Sequence, residues 1–188
     1  AKPIGSPPLS EIIRPNDRVV ITTSDGTRPV PNRLLLPWLL DRLPVAPENV
    51  TLVIGTGSHR PNTPEELENM LGAEVLRRVR VVNHDAYDPA GNIRVGESAA
   101  GHPVSLNRLY AEADKRVAAG FIEPHFFAGF SGGPKAVAPG LASIETILGL
   151  HSYGLVADPR STWGVLEENP MHAAIREAAA CCPPDFLV

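Results

Sequence analysis

Residues 18–31 read RVVITTSDGTRPVP. Arg18–Thr23 is an apolar, β-branched run with no polar alternation, the composition of a strand buried on both faces of a parallel sheet. It breaks off into Ser24-Asp25-Gly26-Thr27-Arg28-Pro29, polar and turn-forming, and then into a helical pattern. A strand that delivers a polar loop into a helix is half of a βαβ unit. The same sequence of events recurs along the chain. Val50–Gly55 (VTLVIG), Val79–Asn83 (VRVVN) and Arg116–Ile122 (RVAAGFI) have the same character, and Val104–Leu106 is a weaker fifth strand candidate.

Helical patterns alternate with these strands. Over Pro31–Leu43 the spacing of Leu34, Leu35, Trp38, Leu39 and Leu43 predicts one buried face. Thr63-Pro64-Glu65-Glu66 is a helix start: Thr63 as N-cap, Pro64 in the first turn and Glu66 closing a capping box. That helix runs to about Met70, with Gly72 as its stop. Asn107–Asp114 and Ser143–Leu150 are further helices, and Asn169-Pro170 opens a last one through Cys181. The alternation predicts an α/β fold: a Rossmann-like, mostly parallel sheet with helices on both faces. Such sheets place ligands at the carboxyl ends of their strands.

The totals narrow the function. The chain has 188 residues and a net charge of −4, from 17 basic and 21 acidic residues. It carries no basic stripe, which argues against nucleic acid. No apolar run approaches the length of about 20 residues that a membrane span needs. Adjacent Cys181 and Cys182 are read as reduced thiols near a helix end, and with them goes a cytoplasmic setting. The opening AKPIGSPPLS and the closing PPDFLV, which starts like a strand, read as cut ends of a longer protein.

The chemistry lies in the loops after three strands. The first is Ser24–Pro29; the second is Gly55-Thr56-Gly57-Ser58-His59-Arg60-Pro61; the third is the longer stretch EPHFFAGFSGGPKAVAPG, Glu123–Gly140. Each has a plain reading as turn, cap or solvated surface. Gly55-Thr56-Gly57 lacks the third glycine of a dinucleotide fingerprint. Together they bring phosphate donors (Ser24, Thr27, Thr56, Ser131 and the glycines) to one sheet edge. With them come a planar fork for a carboxylate (Arg28), two imidazoles that titrate near neutrality (His59, His125) and an amine (Lys135). His151 follows the predicted helix from Ser143 and is a metal candidate. His84, His102 and His172 are read as structural or surface residues.

The motifs SDGTRPVP, GTGSHRP, NHDA and EPHFFAGFSGGPKAVAPG, followed by His151, occur in this order. Over about Leu9 to Val188 the chain resembles the nickel-dependent lactate racemase family, and the long motif is the specific one. The resemblance implies a nickel pincer nucleotide, a pyridinium-3,5-bisthiocarboxylic acid mononucleotide that carries nickel and is covalently joined to a lysine, here Lys135. It implies His151 as nickel ligand, His59 and His125 as an acid/base pair, and Arg28 as the clamp on a substrate carboxylate. Asp25, Thr27, Ser131, Gly132 and Gly133 are carried over to the phosphate pocket. The implied reaction inverts the α-carbon of a small 2-hydroxy acid, lactate or a relative, by hydride transfer out and back, with one histidine for each orientation of the substrate.

Further expectations follow from the same resemblance. Residues 1–188 form the N-terminal cofactor-binding and catalytic domain of a two-domain protein whose C-terminal domain is absent, so the fragment alone is a poor catalyst. Cofactor-biosynthesis enzymes are partners, and a homo-oligomer is compatible with the chain. Two other readings stay open: a dehydratase or redox enzyme using the same nucleotide, and a nucleotide-binding module without catalysis. Gly26, the Glu167–Pro170 stretch and Leu150 depart from the family's usual residues and leave the substrate unassigned.

Overall fold

The computed structural model describes residues 3–188. In chain order the elements are α1 (Leu9–Ile12), β1 (Val19–Ser24), α2 (Asn32–Leu40), β2 (Val50–Gly55), α3 (Pro64–Leu71), α4 (Ala73–Arg78) and β3 (Arg80–Asn83). There follow β4 (Asn92–Glu97), β5 (Pro103–Asn107), α5 (Arg108–Ala111), β6 (Lys115–Ala118), β7 (Pro124–His125) and β8 (Gly129–Phe130). The last are α6 (Ile144–Leu150), α7 (Tyr153–Val156), α8 (Pro170–Ala180) and β9 (Phe186–Leu187). Five strands form one sheet in the order β3-β2-β1-β6-β9, and every neighbouring pair is parallel.

The unalternated apolar runs are explained by burial on both faces. Val19 and Ile21 of β1 point into a core with Leu36 and Leu39 of α2, Leu71 of α3 and Val75 of α4. Val20, between them, points into a second core with Tyr110 of α5, Ile147 of α6, and Met171 and Ile175 of α8. Helices therefore cover both sides, as the alternation predicts. The closing strand-like residues pair as β9 at the sheet edge, Val117 against Phe186.

Local signals explain most element starts. Thr63 accepts from the Glu66 amide and Glu66 accepts from the Thr63 amide, so the capping box forms as expected. Gly72, at φ 81°, ends α3, and a short helix not foreseen, α4, follows directly. Asn107, Ser143 and Asn169 cap α5, α6 and α8 through their side chains. The predicted buried face of α2 is rotated. Leu34 is 78% exposed and Trp38 40% exposed, while Asn32, Leu36, Leu39 and Leu40 are buried. The cause is Asn32: its carboxamide oxygen accepts from Thr23 Oγ1 of β1 at 2.8 Å, which pins the first turn to the sheet and sets the phase of the helix. Trp38 instead lies under the Arg42 guanidinium, 4.1 Å from the ring centroid.

Two strand expectations change. Val104–Leu106 falls in β5, which pairs antiparallel with β4 outside the main sheet and covers the α5/α8 side. The strand expected over Arg116–Ile122 stops at Ala118, and Ile122 is 74% exposed. Beyond Ala118 the backbone turns back against the Gly132 turn, where a Cβ on Gly120 would lie 3.2 Å from Gly132 Cα.

Candidate functional site

The strand order explains the convergence of the three loops. β1 lies between β2 and β6, with Ser24 level with Gly55 and Thr22 level with Ala118. The loops after these strands are therefore neighbours, and the β1–β6 boundary is where the strand order reverses, the usual position of a ligand crevice in an open α/β sheet. A cavity of about 550 Å³ opens there. Asp25, Thr27, Arg28, His59, His125, Ser131, Gly132, Lys135 and His151 all line it. Gly133 does not; it lies in an adjoining apolar groove with Ile122, Pro134 and Leu166.

The loops are locked to one another by close backbone contacts. Gly57 donates its amide to the Gly140 carbonyl at 2.9 Å, and Thr56 Oγ1 donates to the His84 carbonyl at 2.7 Å. A Cβ on Gly55 would sit 3.3 Å from the Gly140 carbonyl oxygen. The glycines of the second loop thus serve close packing against the third. His84 is 1% exposed, with Nε2 2.9 Å from the Ala142 carbonyl and Nδ1 3.2 Å from the Asn107 carboxamide nitrogen. It is a structural tie, as expected, joining the end of β3 to the segment before α6. Burial holds its pKa below the ordinary value.

Each site side chain has a defined environment. His59 Nδ1 is 2.7 Å from Asp25 Oδ2, and Asp25 Oδ1 accepts from both the Thr27 amide and Thr27 Oγ1. His151 Nδ1 lies 2.8 Å from the Ile147 carbonyl. A carbonyl only accepts, so Nδ1 of His151 donates to it, and in the neutral ring the lone pair then lies on Nε2, the arrangement a metal ligand needs. Arg28 Nε pairs with Glu123 at 3.2 Å, joining the first loop to the third, and Arg28 Nη1 donates to the Thr27 carbonyl. Lys135 makes no ion pair among the described residues, and burial, reinforced by Arg28, lowers its pKa to about 8. Burial, then Lys135, Arg28 and His151, lowers that of His125 to about 4.

The phosphate pocket expected from Asp25, Thr27 and Ser131 meets a physical objection. Asp25 is 6% exposed and its oxygens are taken up by His59 and Thr27. A carboxylate beside a phosphate is also repulsive. The Ser131 hydroxyl donates to the Phe121 carbonyl, and its amide to the Glu123 carbonyl. These groups hold the loops in place. The amides of Gly132 and Gly133, at φ 72° and 52°, make no backbone hydrogen bond among the described residues.

Three features of the site were not legible beforehand: Asp25 as the partner of His59, Glu123 as the partner of Arg28, and an aromatic stack. Phe126 lies flat on His125, with centroids 4.6 Å apart at 15°, and contacts Phe127 and Trp163. An Asp in the turn after β1, with a histidine in the turn after a second strand, is the signal that could have found the first; nothing in the sequence separated Phe126 from Phe130.

Comparison with known proteins converges on one family. The "Lactate racemase N-terminal domain" family matches residues 1–164. The chain is 40% identical over 188 residues to the lactate racemase of Lactiplantibacillus plantarum, covering 99% of this chain and 44% of that protein. It is 41% identical over 179 residues to the lactate racemase of Thermoanaerobacterium thermosaccharolyticum, covering 94% and 42%. The solved structure of the lactate racemase apoprotein from the latter organism superposes with a TM-score of 0.90 at 39% identity, over 97% of this chain and 44% of that one. A crystal structure of a Thermotoga maritima protein gives 0.75 at 29% identity. The chain thus spans less than half the length of the curated relatives it matches.

Proposed function

The chain belongs to the lactate racemase N-terminal domain family, and from that membership we propose that it is the cofactor-binding and catalytic part of a racemase or epimerase acting on a 2-hydroxy acid, lactate or a relative. The observation that supports this best is the gathering of Arg28, His59, His125, Lys135 and His151 around one cavity of about 550 Å³. Anion binding alone requires none of these imidazoles.

The residues fit a nickel pincer nucleotide. The metal-type donor in this fit is His151, and among the described residues no group of three or more His, Cys, Asp or Glu forms a metal cluster around it. His151 Nε2 would complete the nickel coordination, and the unpaired, easily deprotonated Lys135 amine is suited to an acyl link. The Gly132 amide would meet the nucleotide's phosphate. When bound, that nucleotide supplies an acceptor and donor of hydride. The chain's own residues do the rest. Arg28 holds the substrate carboxylate through the guanidinium edge that Glu123 leaves open, and His59 and His125 face the hydroxyl-bearing carbon from the β2 and β7 sides as the acid/base pair. Phe126 and Phe127 supply the apolar part of the cavity lining. A second domain, outside this chain, would cover Phe126 and Trp163, which are 50% and 59% exposed.

The test uses full-length protein co-expressed with cofactor-making enzymes. Interconversion of D- and L-lactate or another 2-hydroxy acid, with nickel present and a mass adduct on the Lys135 peptide, is expected. Loaded protein that yields only dehydrated or oxidised products would overturn the reading in favour of a different use of the nucleotide.

A further inference from the structure

The arginine of the first loop is itself held, and the residue that holds it belongs to the third. The Arg28 guanidinium is a planar fork of N–H donors. Glu123 Oε1 stands 3.2 Å from its Nε, and the Thr27 carbonyl accepts from its Nη1 at 3.2 Å. Nη2 makes no hydrogen bond among the described residues, so the open donors lie on the Nη1–Nη2 edge. Glu123 can fix a neighbour because its own backbone is fixed. Its amide donates to Ser131 Oγ at 3.0 Å, and its carbonyl accepts from the Ser131 amide at 2.8 Å. Pro124 behind it restricts it to extended backbone. Ser131 in turn leads into the Gly133–Ala136 turn that carries Lys135. The Arg28 and Glu123 side chains are 27% and 33% exposed, so the pair is screened less than one at the open surface.

Resting on the racemase reading above, we propose that Glu123 is a positioning residue for the substrate: it holds Arg28 so that only the Nη1–Nη2 edge is left for the carboxylate of the 2-hydroxy acid, which is then received end-on and in one orientation. Charge alone would give Glu123 the opposite effect. A second carboxylate near the substrate's repels it, so a Glu123 that merely neutralised Arg28 would weaken binding. Geometry decides the sign. A free arginine loses rotamer freedom when it clamps a ligand, whereas one already held has little left to lose. A carboxylate met by two parallel N–H groups also needs the fork in a set plane, and the contacts at Nε and Nη1 set it. The pair reaches the tether as well. Burial and Arg28 lower the pKa of Lys135, and Asp25 and Glu123 oppose them.

Two variants of full-length, nucleotide-loaded protein separate position from charge. Glu123→Ala removes both the charge and the contact with Nε. Glu123→Gln removes the charge and keeps an oxygen that can accept from Nε. In Glu123→Ala the KM for the 2-hydroxy acid should rise about 10–10²-fold, the change that matches one lost charge-assisted hydrogen bond. Glu123→Gln should recover most of that rise. In both variants kcat per loaded site should move less than KM, because the group that shifts touches only the carboxylate. A KM unchanged or lowered in Glu123→Ala overturns the proposal, as does a glutamine variant no better than alanine. A fall in loaded fraction or kcat with KM intact also overturns it, since that is the mark of a merely structural residue. A further measurement needs no turnover. In cofactor-free full-length protein, acylation of Lys135 by acetic anhydride, read by peptide mass, should have a lower pH midpoint in Glu123→Gln than in the wild type, because Arg28 is then uncompensated. A midpoint that stays in place means that Glu123 is not paired with Arg28 beside Lys135, and the proposal falls. Wild-type loaded protein that interconverts no 2-hydroxy acid would sink the racemase reading and the substrate role with it, while the Lys135 midpoint would still report whether the pair exists.

Discussion

Asp25→Asn is the perturbation that the site geometry predicts most sharply. In the wild-type chain Asp25 Oδ1 accepts two hydrogen bonds from Thr27, from the amide at 3.2 Å and from Oγ1 at 2.5 Å. Oδ2 faces His59 Nδ1 at 2.7 Å. An asparagine must choose which of its two heads replaces which oxygen. The Thr27 amide can only donate, so the carboxamide oxygen has to take the Oδ1 position. The NH2 group then lands opposite His59 Nδ1, and because it donates, it drives the imidazole proton onto Nε2. His59 would keep its place and lose its lone pair. In a serine protease the corresponding change of tautomer lowers kcat by about 10⁴-fold, roughly 5.5 kcal/mol of barrier, and a loss of that order is expected here. The assay is lactate racemisation by full-length, nucleotide-loaded protein, with circular dichroism and intact mass showing that fold and adduct are retained. A loss smaller than about tenfold, well under the range for general-base assistance, would mean that His59 is not held by Asp25 in the working enzyme or is not the base.

Other consequences can be checked without turnover. Acylation of the Lys135 amine should follow a pH midpoint near 8, because burial and Arg28 lower its pKa to about 8; a midpoint near the ordinary 10.5 would refute this. His84→Ala removes a buried ring that meets both the Ala142 carbonyl and the Asn107 carboxamide, and should cost about 1–3 kcal/mol in urea unfolding. His84 also makes stability depend on pH. Its folded pKa lies below the ordinary 6.5, so below that pH the unfolded chain takes up a proton that the folded chain refuses. Stability should therefore fall as pH drops below 6.5, and the slope should be shallower in a His84→Gln variant. Gly129→Ala places a Cβ against the Val165 carbonyl at a positive φ, and should destabilise by about 1–3 kcal/mol.

What the sequence disclosed and what it withheld divide along physical lines. The strands were legible because burial on both faces leaves no alternation, and Val19, Val20 and Ile21 do reach two different cores. Their polar ends were legible because turns need glycine, proline and small polar residues. That the three loops meet follows from β1 lying between β2 and β6, and strand order cannot be read from composition. The phase of α2 was misread because hydrophobicity counts leucines while a single buried hydrogen bond, Thr23 to Asn32, decides which of them face the sheet. The end of β6 was misread because Phe121 and Ile122 suit a strand by propensity, and only contact of Gly120 with the Gly132 turn, a dozen residues further on, bends the chain away.

The same distinction governs the site. A sequence names chemical groups, and the groups at Arg28, His59, His125, Lys135 and His151 were all nameable. What a group can do depends on what its other atoms touch. Three histidines of this cavity look interchangeable as letters. A carbonyl at Ile147 and a carboxylate at Asp25 accept from Nδ1 of His151 and His59, whereas two backbone amides donate to Nδ1 of His125. The amide donors belong to residues chosen for other reasons, and their direction is set by backbone dihedrals. Which ring nitrogen of each imidazole is held by the protein is therefore a property of the β7–β8 turn and of the Asp25–Thr27 loop. Substitutions there, at positions that need never touch substrate, should change on which nitrogen a neutral histidine carries its proton.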